Sequence, residues 1–331
     1  FASAANTDRD SYYGPGNDPL KAYGKTTDLI AMGGAQYVHT FDKCLFMPSD
    51  LTAGLEYNRD RLKDNMWGYD RHTDQTVNIY SAFLQNEWKN DRWGILIGGR
   101  LDKHNMVDNV IFSPRANLRF NPTQNINLRL SYSSGFRAPQ AFDEDLHVEN
   151  VGGKVAMVEL AKDLKEERSQ SLSASADIYH RFGAFQINFL VEGFYTKLSD
   201  VFALTDGEVK DGILTRTRYN APGARVMGLT LEGKMAYLNK FQIQAGVTLQ
   251  QSHYSEPHEW NPDAPAVKKM MRTPNTYGYF TATYTPVKPL SIALSGTYTG
   301  SMLVPHEPVP GFLENCLLYT SPSPRDPKTS R

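Results

Sequence analysis

In the stretch Ile126-Asn127-Leu128-Arg129-Leu130-Ser131-Tyr132-Ser133 the chain changes character at every step. Successive side chains of a strand point to opposite faces, so Ile126, Leu128, Leu130 and Tyr132 share one face while Asn127, Arg129, Ser131 and Ser133 share the other. A helix would scatter the same residues around its axis. The rhythm repeats on both sides of this run. Phe241, Ile243, Ala245, Val247 and Leu249 alternate with Gln242, Gln244, Gly246, Thr248 and Gln250. Phe185, Ile187, Phe189 and Val191 oppose Gln186, Asn188 and Glu192, with Leu190 as the one lapse. Leu229, Leu231 and Met235 oppose Thr230, Glu232 and Lys234.

Extended along the chain, this pattern predicts an all-β protein of about twelve strands, with almost no helix. The strands fall near residues 26–40, 50–63, 73–89, 92–104, 109–120, 124–135, 167–181, 185–205, 212–237, 241–253, 275–285 and 288–301. Asn220-Ala221-Pro222-Gly223 lies inside one of them and reads as a bulge, because proline cannot donate to a ladder. Both a soluble sandwich and a membrane barrel bury one face of each strand, so alternation does not separate them. Three further features do. The strands exceed the roughly five or six residues usual in globular sheets. Tight connections (89–91, 121–123, 181–184, 238–240, 285–288) contrast with long ones at 137–166 and 254–274. Each tight turn carries an aromatic neighbour: Trp88 and Trp93, Phe120, Phe182 and Phe185, Tyr237 and Phe241, Tyr284. Amphipathic rings favour the headgroup region, so these read as one girdle of a transmembrane antiparallel β-barrel.

Bulk composition is compatible with this. The 331 residues are 40% apolar and 21% charged with a net charge of −1, and a barrel that hides its apolar residues at every second position has ordinary average hydropathy. No apolar run is long enough for a transmembrane helix. The chain opens at Phe1 into a polar stretch, Asn6 to Asp18, that reads as turn-rich and without a secretory leader, suggesting a missing amino-terminal portion. Two cysteines, Cys44 and Cys316, supply neither a disulfide framework nor a zinc site. Residues 313–331, from Leu313-Glu-Asn-Cys to Arg331, look like translated sequencing-adapter read-through, so that 1–312 holds the credible barrel sequence and 313–331 a non-native tail.

The ordered set Gln85-Asn86-Glu87-Trp88, Gly98-Gly99-Arg100-Leu101-Asp102, Phe112-Ser113-Pro114-Arg115-Ala116 and Gly135-Phe136-Arg137-Ala138-Pro139 resembles TonB-dependent outer-membrane receptors. The resemblance continues through Leu164-Lys165-Glu166-Glu167-Arg168-Ser169, Phe194-Tyr195 and the 220–233 segment to about Gly311. It implies a plugged barrel of about twenty-two strands in the bacterial outer membrane, of which this chain would hold about twelve. It also implies active import energised by TonB through an upstream segment, with a ferric siderophore as the expected cargo and cobalamin or an oligosaccharide as alternatives. Partners would then be TonB, the ligand and outer-membrane lipid. A passive porin or adhesin barrel is the rival from another class. No nucleic-acid partner, cofactor or resident metal is implied, and no nucleophile elbow, phosphate loop or metalloprotease signature suggests an enzyme.

On this reading the polar strand faces, with Arg115, Arg119, Arg129, Glu192, Glu232 and Lys234, line the lumen. Ligand recognition is expected on the long loops. The first, after Arg137, offers an acidic cluster, Phe142-Asp143-Glu144-Asp145, with His147. Haem receptors of the family pair the Phe-Arg-Ala-Pro motif with a downstream histidine and an Asn-Pro-Asn-Leu motif. Here the second motif reads Ala161-Lys162-Asp163-Leu164, which counts against haem. The second loop offers Tyr254, His258, Trp260, Lys268, Lys269 and Arg272, aromatic and cationic groups suited to anionic ferric catecholates. Arg272-Thr273-Pro274 is expected to begin the next strand.

Overall fold

The computed structural model describes residues 1–12, 23–67, 71–141, 149–151, 154–210, 213–238, 240–258, 265–305 and 317–320. The strands, in chain order, are β1 (Ala2–Tyr12), β2 (Tyr23–Cys44), β3 (Met47–Met66), β4 (Arg71–Lys89), β5 (Trp93–His104), β6 (Ile111–Thr123), β7 (Ile126–Arg137), β8 (Glu149–Val151) and β9 (Lys154–Leu160). They continue as β10 (Glu167–Phe182), β11 (Phe185–Lys210), β12 (Ile213–Tyr237), β13 (Phe241–His258), β14 (Val267–Lys269), β15 (Thr276–Val287), β16 (Leu290–Thr299), β17 (Met302–Pro305) and β18 (Leu317–Thr320).

Each long strand pairs antiparallel with the next. One 16-stranded sheet runs in the order β1-β2-β3-β4-β5-β6-β7-β10-β11-β12-β13-β15-β16, with β8, β9 and β14 attached at its margin. The sheet does not close on itself among the described residues. All twelve expected strands are present. A thirteenth, β1, corrects the reading of the opening residues as turn-rich. Its sequence, Ala2-Ser-Ala-Ala-Asn-Thr-Asp-Arg-Asp-Ser-Tyr12, has no apolar alternation to announce a strand, and it is held by a full backbone ladder to β2, from Ala2↔Gly33 to Tyr12↔Tyr23.

Register carries the two faces across the sheet without a break. On β5 and β6, Trp93, Ile95, Ile97 and Leu101 oppose Phe120, Leu118, Ala116 and Phe112. On the other face of β6 and β7, Arg119, Asn117 and Arg115 oppose Arg129, Ser131 and Ser133. The lapse at Leu190 is real: it opposes Asp177 and Glu232 on the polar face. Among the described residues nothing covers the apolar face. Leu55, Leu84, Ile97 and Leu294 are 65%, 56%, 55% and 62% exposed. The buried apolar residues, among them Met66, Val77, Val107, Ile111, Ala138 and Val201, lie instead at the end of the sheet away from the tight turns. A soluble sandwich would press two apolar faces together at its centre.

Along each strand the apolar face is also bounded. It runs from Trp88 to Tyr80 on β4 and from Phe185 to Tyr195 on β11, close to the roughly 9–11 residues with which a tilted strand crosses a bilayer. The next residues on that face are polar or cationic: Asn78 after Tyr80, Arg59 after Tyr57, Lys103 after Leu101, Lys197 after Tyr195. Among the described residues six tight connections close the other end, at 45–46, 90–92, 124–125, 183–184, between β12 and β13, and at 288–289. Rings stack beside them, Trp93 on Phe120 with centroids 4.2 Å apart and Phe46 on Trp88 at 5.7 Å.

The segment around Pro222 is not a bulge in the sense expected. Ser199↔Gly223 and Val201↔Ala221 keep one register, so neither strand gains a residue. The ladder skips only the position where Pro222, which has no N–H, faces Asp200. Gly223 takes φ 140° and Asp200 φ 54° there. The register shift on this pair lies farther along, between Asp206 and Val209. In the tail, β18 pairs with β17 in a separate two-stranded sheet, Met302↔Thr320 to Pro305↔Leu317.

Candidate functional site

The polar face carries charge in compensated clusters along its length. Near the tight turns, Lys89 bonds Asp50 at 2.5 Å, Asp50 also accepts from Thr40 at 2.8 Å, and Arg115 donates to Gln85. Farther up, Arg100 bridges Glu56 at 2.6 Å and Asp102 at 2.8 Å, with Ser81 donating to Asp102 at 2.6 Å. On the other flank Glu232 accepts from Tyr279 and pairs with Lys234 at 2.7 Å, while Arg119 donates to the Asn90 carbonyl at 3.1 Å. Arg129 and Glu192 share this face through Ser175, which opposes both.

At the loop end the structure brings together residues from five strands. Arg137 at the end of β7 opposes Glu167 at the start of β10. Its guanidinium lies 5.6 Å from the Phe202 ring centroid, and that of Arg218 lies 5.8 Å from the same ring. Glu167 accepts from the Phe202 N–H at 2.9 Å, holding the Phe202 backbone within reach of both cations. Tyr254, on β13, is half-buried beside them. Burial raises its phenol above the usual range, helped by the Glu167 and Tyr219 side chains, so it is a neutral donor. The His258 ring packs on Tyr254 with centroids 5.7 Å apart, and burial lowers its pKa below that of a free imidazole. The result is a cationic and aromatic cluster, with Arg218 buried and Arg137, Phe202 and Tyr254 half-buried, whose chemistry suits an anionic, ring-bearing ligand.

The loop after Arg137 is tied at both ends to strands that are not its neighbours. Its start is held by β4 and β5: the Ala141 N–H donates to the Gln75 side-chain oxygen at 3.1 Å, and His104 Nε2 contacts the Gln140 side-chain oxygen Oε1 at 3.2 Å. His104 is fully buried. Its Nδ1 accepts from the Met106 N–H at 3.0 Å, which leaves Nε2 to donate to Gln140, and burial lowers its pKa in favour of that neutral form. The loop's far part, β9, adds parallel to the top of β12, Val155↔Ile213 to Leu160↔Arg218, where β13 no longer pairs. Asn220 then clamps Lys165, donating to its carbonyl at 3.1 Å and accepting from its N–H at 2.7 Å.

Of the residues expected to bind ligand, Arg137, Tyr254 and His258 therefore converge. Lys268 is exposed on β14, which pairs with the top of β13. Arg272 does not begin a strand: it sits in a turn at φ 54°, its N–H donating to the Leu303 carbonyl at 2.6 Å, and β15 starts at Thr276. His147, Trp260 and the acidic cluster at 142–145 lie outside the described residues. Glu167, Phe202 and Arg218 were missed by sequence reasoning. The available signal was strand length, because β11 and β12 run far beyond membrane height and their upper residues rise past it.

A family model described as "TonB dependent receptor-like, beta-barrel" matches residues 1–313. No curated protein matches the chain. Among solved structures, a variant of the ferric enterobactin receptor PfeA from Pseudomonas aeruginosa in complex with enterobactin aligns with TM-score 0.66 at 17% identity, covering 91% of this chain and 47% of that one. The FrpB iron transporter from Neisseria meningitidis (F5-1 variant) aligns with TM-score 0.66 at 15% identity, over 92% and 49%. The siderophore receptor PirA from Pseudomonas aeruginosa gives 0.64 at 15%, over 84% and 49%. The chain thus spans about half the length of each.

Proposed function

Because the chain belongs to the TonB-dependent receptor β-barrel family, a family of transport receptors in the bacterial outer membrane, we propose that its parent protein imports a ferric siderophore across that membrane, energised through TonB. The polar face, with Arg115, Arg119, Arg129, Glu192, Glu232 and Lys234, lines the lumen and meets the plug. The apolar face meets hydrocarbon, since an outward Arg or Lys at mid-membrane costs roughly 2 to 4 kcal/mol. Residues 313–331 are a non-native tail outside the barrel, which resequencing of the parent gene would check.

The observation that carries the ligand assignment is the cluster of Arg137, Arg218, Phe202 and Tyr254 on the polar face at the loop end. Two guanidiniums around an aromatic ring suit the negative charge and planar rings of a catecholate-type ferric complex. That the solved proteins similar in fold are described as siderophore and iron receptors supports the same choice. His258 and Lys268 supply further cationic or donor groups around it. The test is growth and labelled-iron uptake of a parent-gene deletion on defined ferric siderophores, in strains with and without TonB. Uptake lost in both the deletion and the TonB-deficient strain is expected; unchanged iron uptake in the deletion would turn the assignment to cobalamin or an oligosaccharide.

A further inference from the structure

The apolar face contains a trough of about 550 Å³ next to the loop end. Its floor is made by small residues, Gly33 and Ala35 of β2 and Ala82 of β4, set in rows with large ones. Register gives the rows as Gly33↔Tyr57↔Tyr80↔Lys103 and Ala35↔Leu55↔Ala82↔Leu101. Concavity here follows from side-chain size: three small positions on two adjacent rows leave Leu55, Tyr57 and Leu101 standing as walls.

Above the trough the same face turns cationic. Arg59 and Arg61 follow Tyr57 along β3, both exposed and neither paired with a carboxylate among the described residues. The next outward cation, Lys63, already has a partner, Asp74 at 3.3 Å. Lys103 stands across from Tyr80, its ammonium held by the carbonyls of Val107 at 2.9 Å and Asp108 at 2.7 Å, which fix its position without neutralising it. Between trough and charges lies an aromatic pair, Tyr57 and Tyr80, with centroids 4.9 Å apart and the Tyr57 hydroxyl donating to Asn78 at 2.8 Å. Rings with one apolar side and one wet edge belong where hydrocarbon gives way to headgroups.

We propose that this is a specific lipid site: an acyl chain lies along the Gly33–Ala35–Ala82 trough, and a phosphate of the same outer-leaflet lipid is bound by Arg59, Arg61 and Lys103. The inference rests on the outer-membrane reading above. Guanidinium geometry matches phosphate oxygens in pairs, which a solvated charge would not require. A second copy of the chain docked through this face by two-fold symmetry would set the cationic row against its own counterpart, which argues against a dimer contact.

The test uses the full-length receptor, delipidated in a zwitterionic detergent and titrated with bis-phosphorylated hexa-acyl lipid A, bound lipid being counted by native mass spectrometry. One tightly held lipid is expected, with binding weakened roughly 30-fold or more in R59E/R61E. Gly33→Leu should weaken it comparably. The added Cβ meets only the Phe1 carbonyl oxygen at 3.9 Å, so the backbone there accepts a side chain, which then occupies the trough. Folding of each variant is read from heat-modifiable gel mobility. Should either fail to fold, wild-type binding of lipid A against its dephosphorylated form decides, with the same loss expected. Equal binding by folded variants, indifference to the phosphates, equal preference for phosphatidylglycerol, or a photo-crosslinker at position 55 capturing another protein or a second copy would each overturn the proposal. Fractionation separates the two readings. A protein absent from the outer membrane sinks the parent reading, whereas one present there with lipid binding indifferent to these changes sinks only this one.

Discussion

Leu45 shows how a single position can be held against its own preference. It occupies the tight turn between β2 and β3 at φ 62°, a left-handed conformation that crowds the Cβ of any branched side chain against the backbone and costs roughly 1–2 kcal/mol. The turn is kept because the strands it joins are locked over a long ladder and because the next residue, Phe46, stacks on Trp88. The side chain of Leu45 itself is 79% exposed and contributes little packing. Replacing Leu45 by glycine should therefore stabilise the refolded full-length barrel by about 1 kcal/mol, seen as a higher urea midpoint at unchanged slope. A lower midpoint would mean that the leucine anchors in the headgroup layer and that its burial there outweighs the backbone strain. His104 makes the complementary case, a buried imidazole whose two ring nitrogens are both committed to holding loops. In the sequence it is one more polar residue at a strand end, so nothing marked it. Its role depends on Gln140, which reaches it only once β5 and β7 have paired on either side of β6.

Elements were legible where one face of a strand had to be apolar, and illegible where only backbone held them. The alternation in β7, β13 and β11 predicts each of them because one face of each is apolar and the other polar. β1 carries no such demand, and β9 finds β12 through a parallel ladder between residues far apart in the chain, which no local period encodes. The upper ends of β2 and β3 illustrate a second kind of element-level property. There Asp60 sits close to Asp28 on the polar face, and its pKa is pushed up to about 6, first by burial and then by the neighbouring carboxyl. A carboxyl whose folded pKa lies above its unfolded value favours the folded state most when protonated. That stability is complete below about pH 4 and is lost as the pH rises through about 6. Amide exchange in Asp28–Asp60, corrected for intrinsic rates, should accordingly quicken between pH 5 and pH 8. Asp60→Asn should remove that pH dependence. Exchange that slows over the same interval would show that the pair is solvated or bridged by a cation, and that the sign is wrong.

For the molecule as a whole, the deciding relation is between an exposed apolar face and a compensated polar one. The site at the loop end was partly legible for the same reason. Arg137 and Tyr254 stand at strand ends that a membrane-height argument puts outside the bilayer, whereas Phe202 and Arg218 read as ordinary strand residues until β11 and β12 are seen to rise past it. Arg137→Ala with Arg218→Ala in the full-length receptor should lower affinity for a ferric catecholate at least about tenfold while leaving the barrel's heat-modifiable mobility unchanged. Retained affinity would move recognition to the other loops. The two faces can also be weighed directly by placing one charge on each. Leu84 lies midway along the apolar face of β4, 56% exposed and flanked by Ala53 and Gly99. Ser131 lies on the polar face of β7 between Asn117 and Ser173. If the apolar face meets hydrocarbon, Leu84→Arg destabilises the protein refolded into lipid vesicles by about 2–4 kcal/mol, because the guanidinium must leave water for the bilayer interior. Ser131→Lys, entering a wet and charged surface, should stay within about 0.5 kcal/mol of the parent. Tryptophan fluorescence during urea titration measures both. Equal costs, or a large cost only at Ser131, would mean that the membrane lies on the other face, and the assignment of lumen and lipid would have to be exchanged.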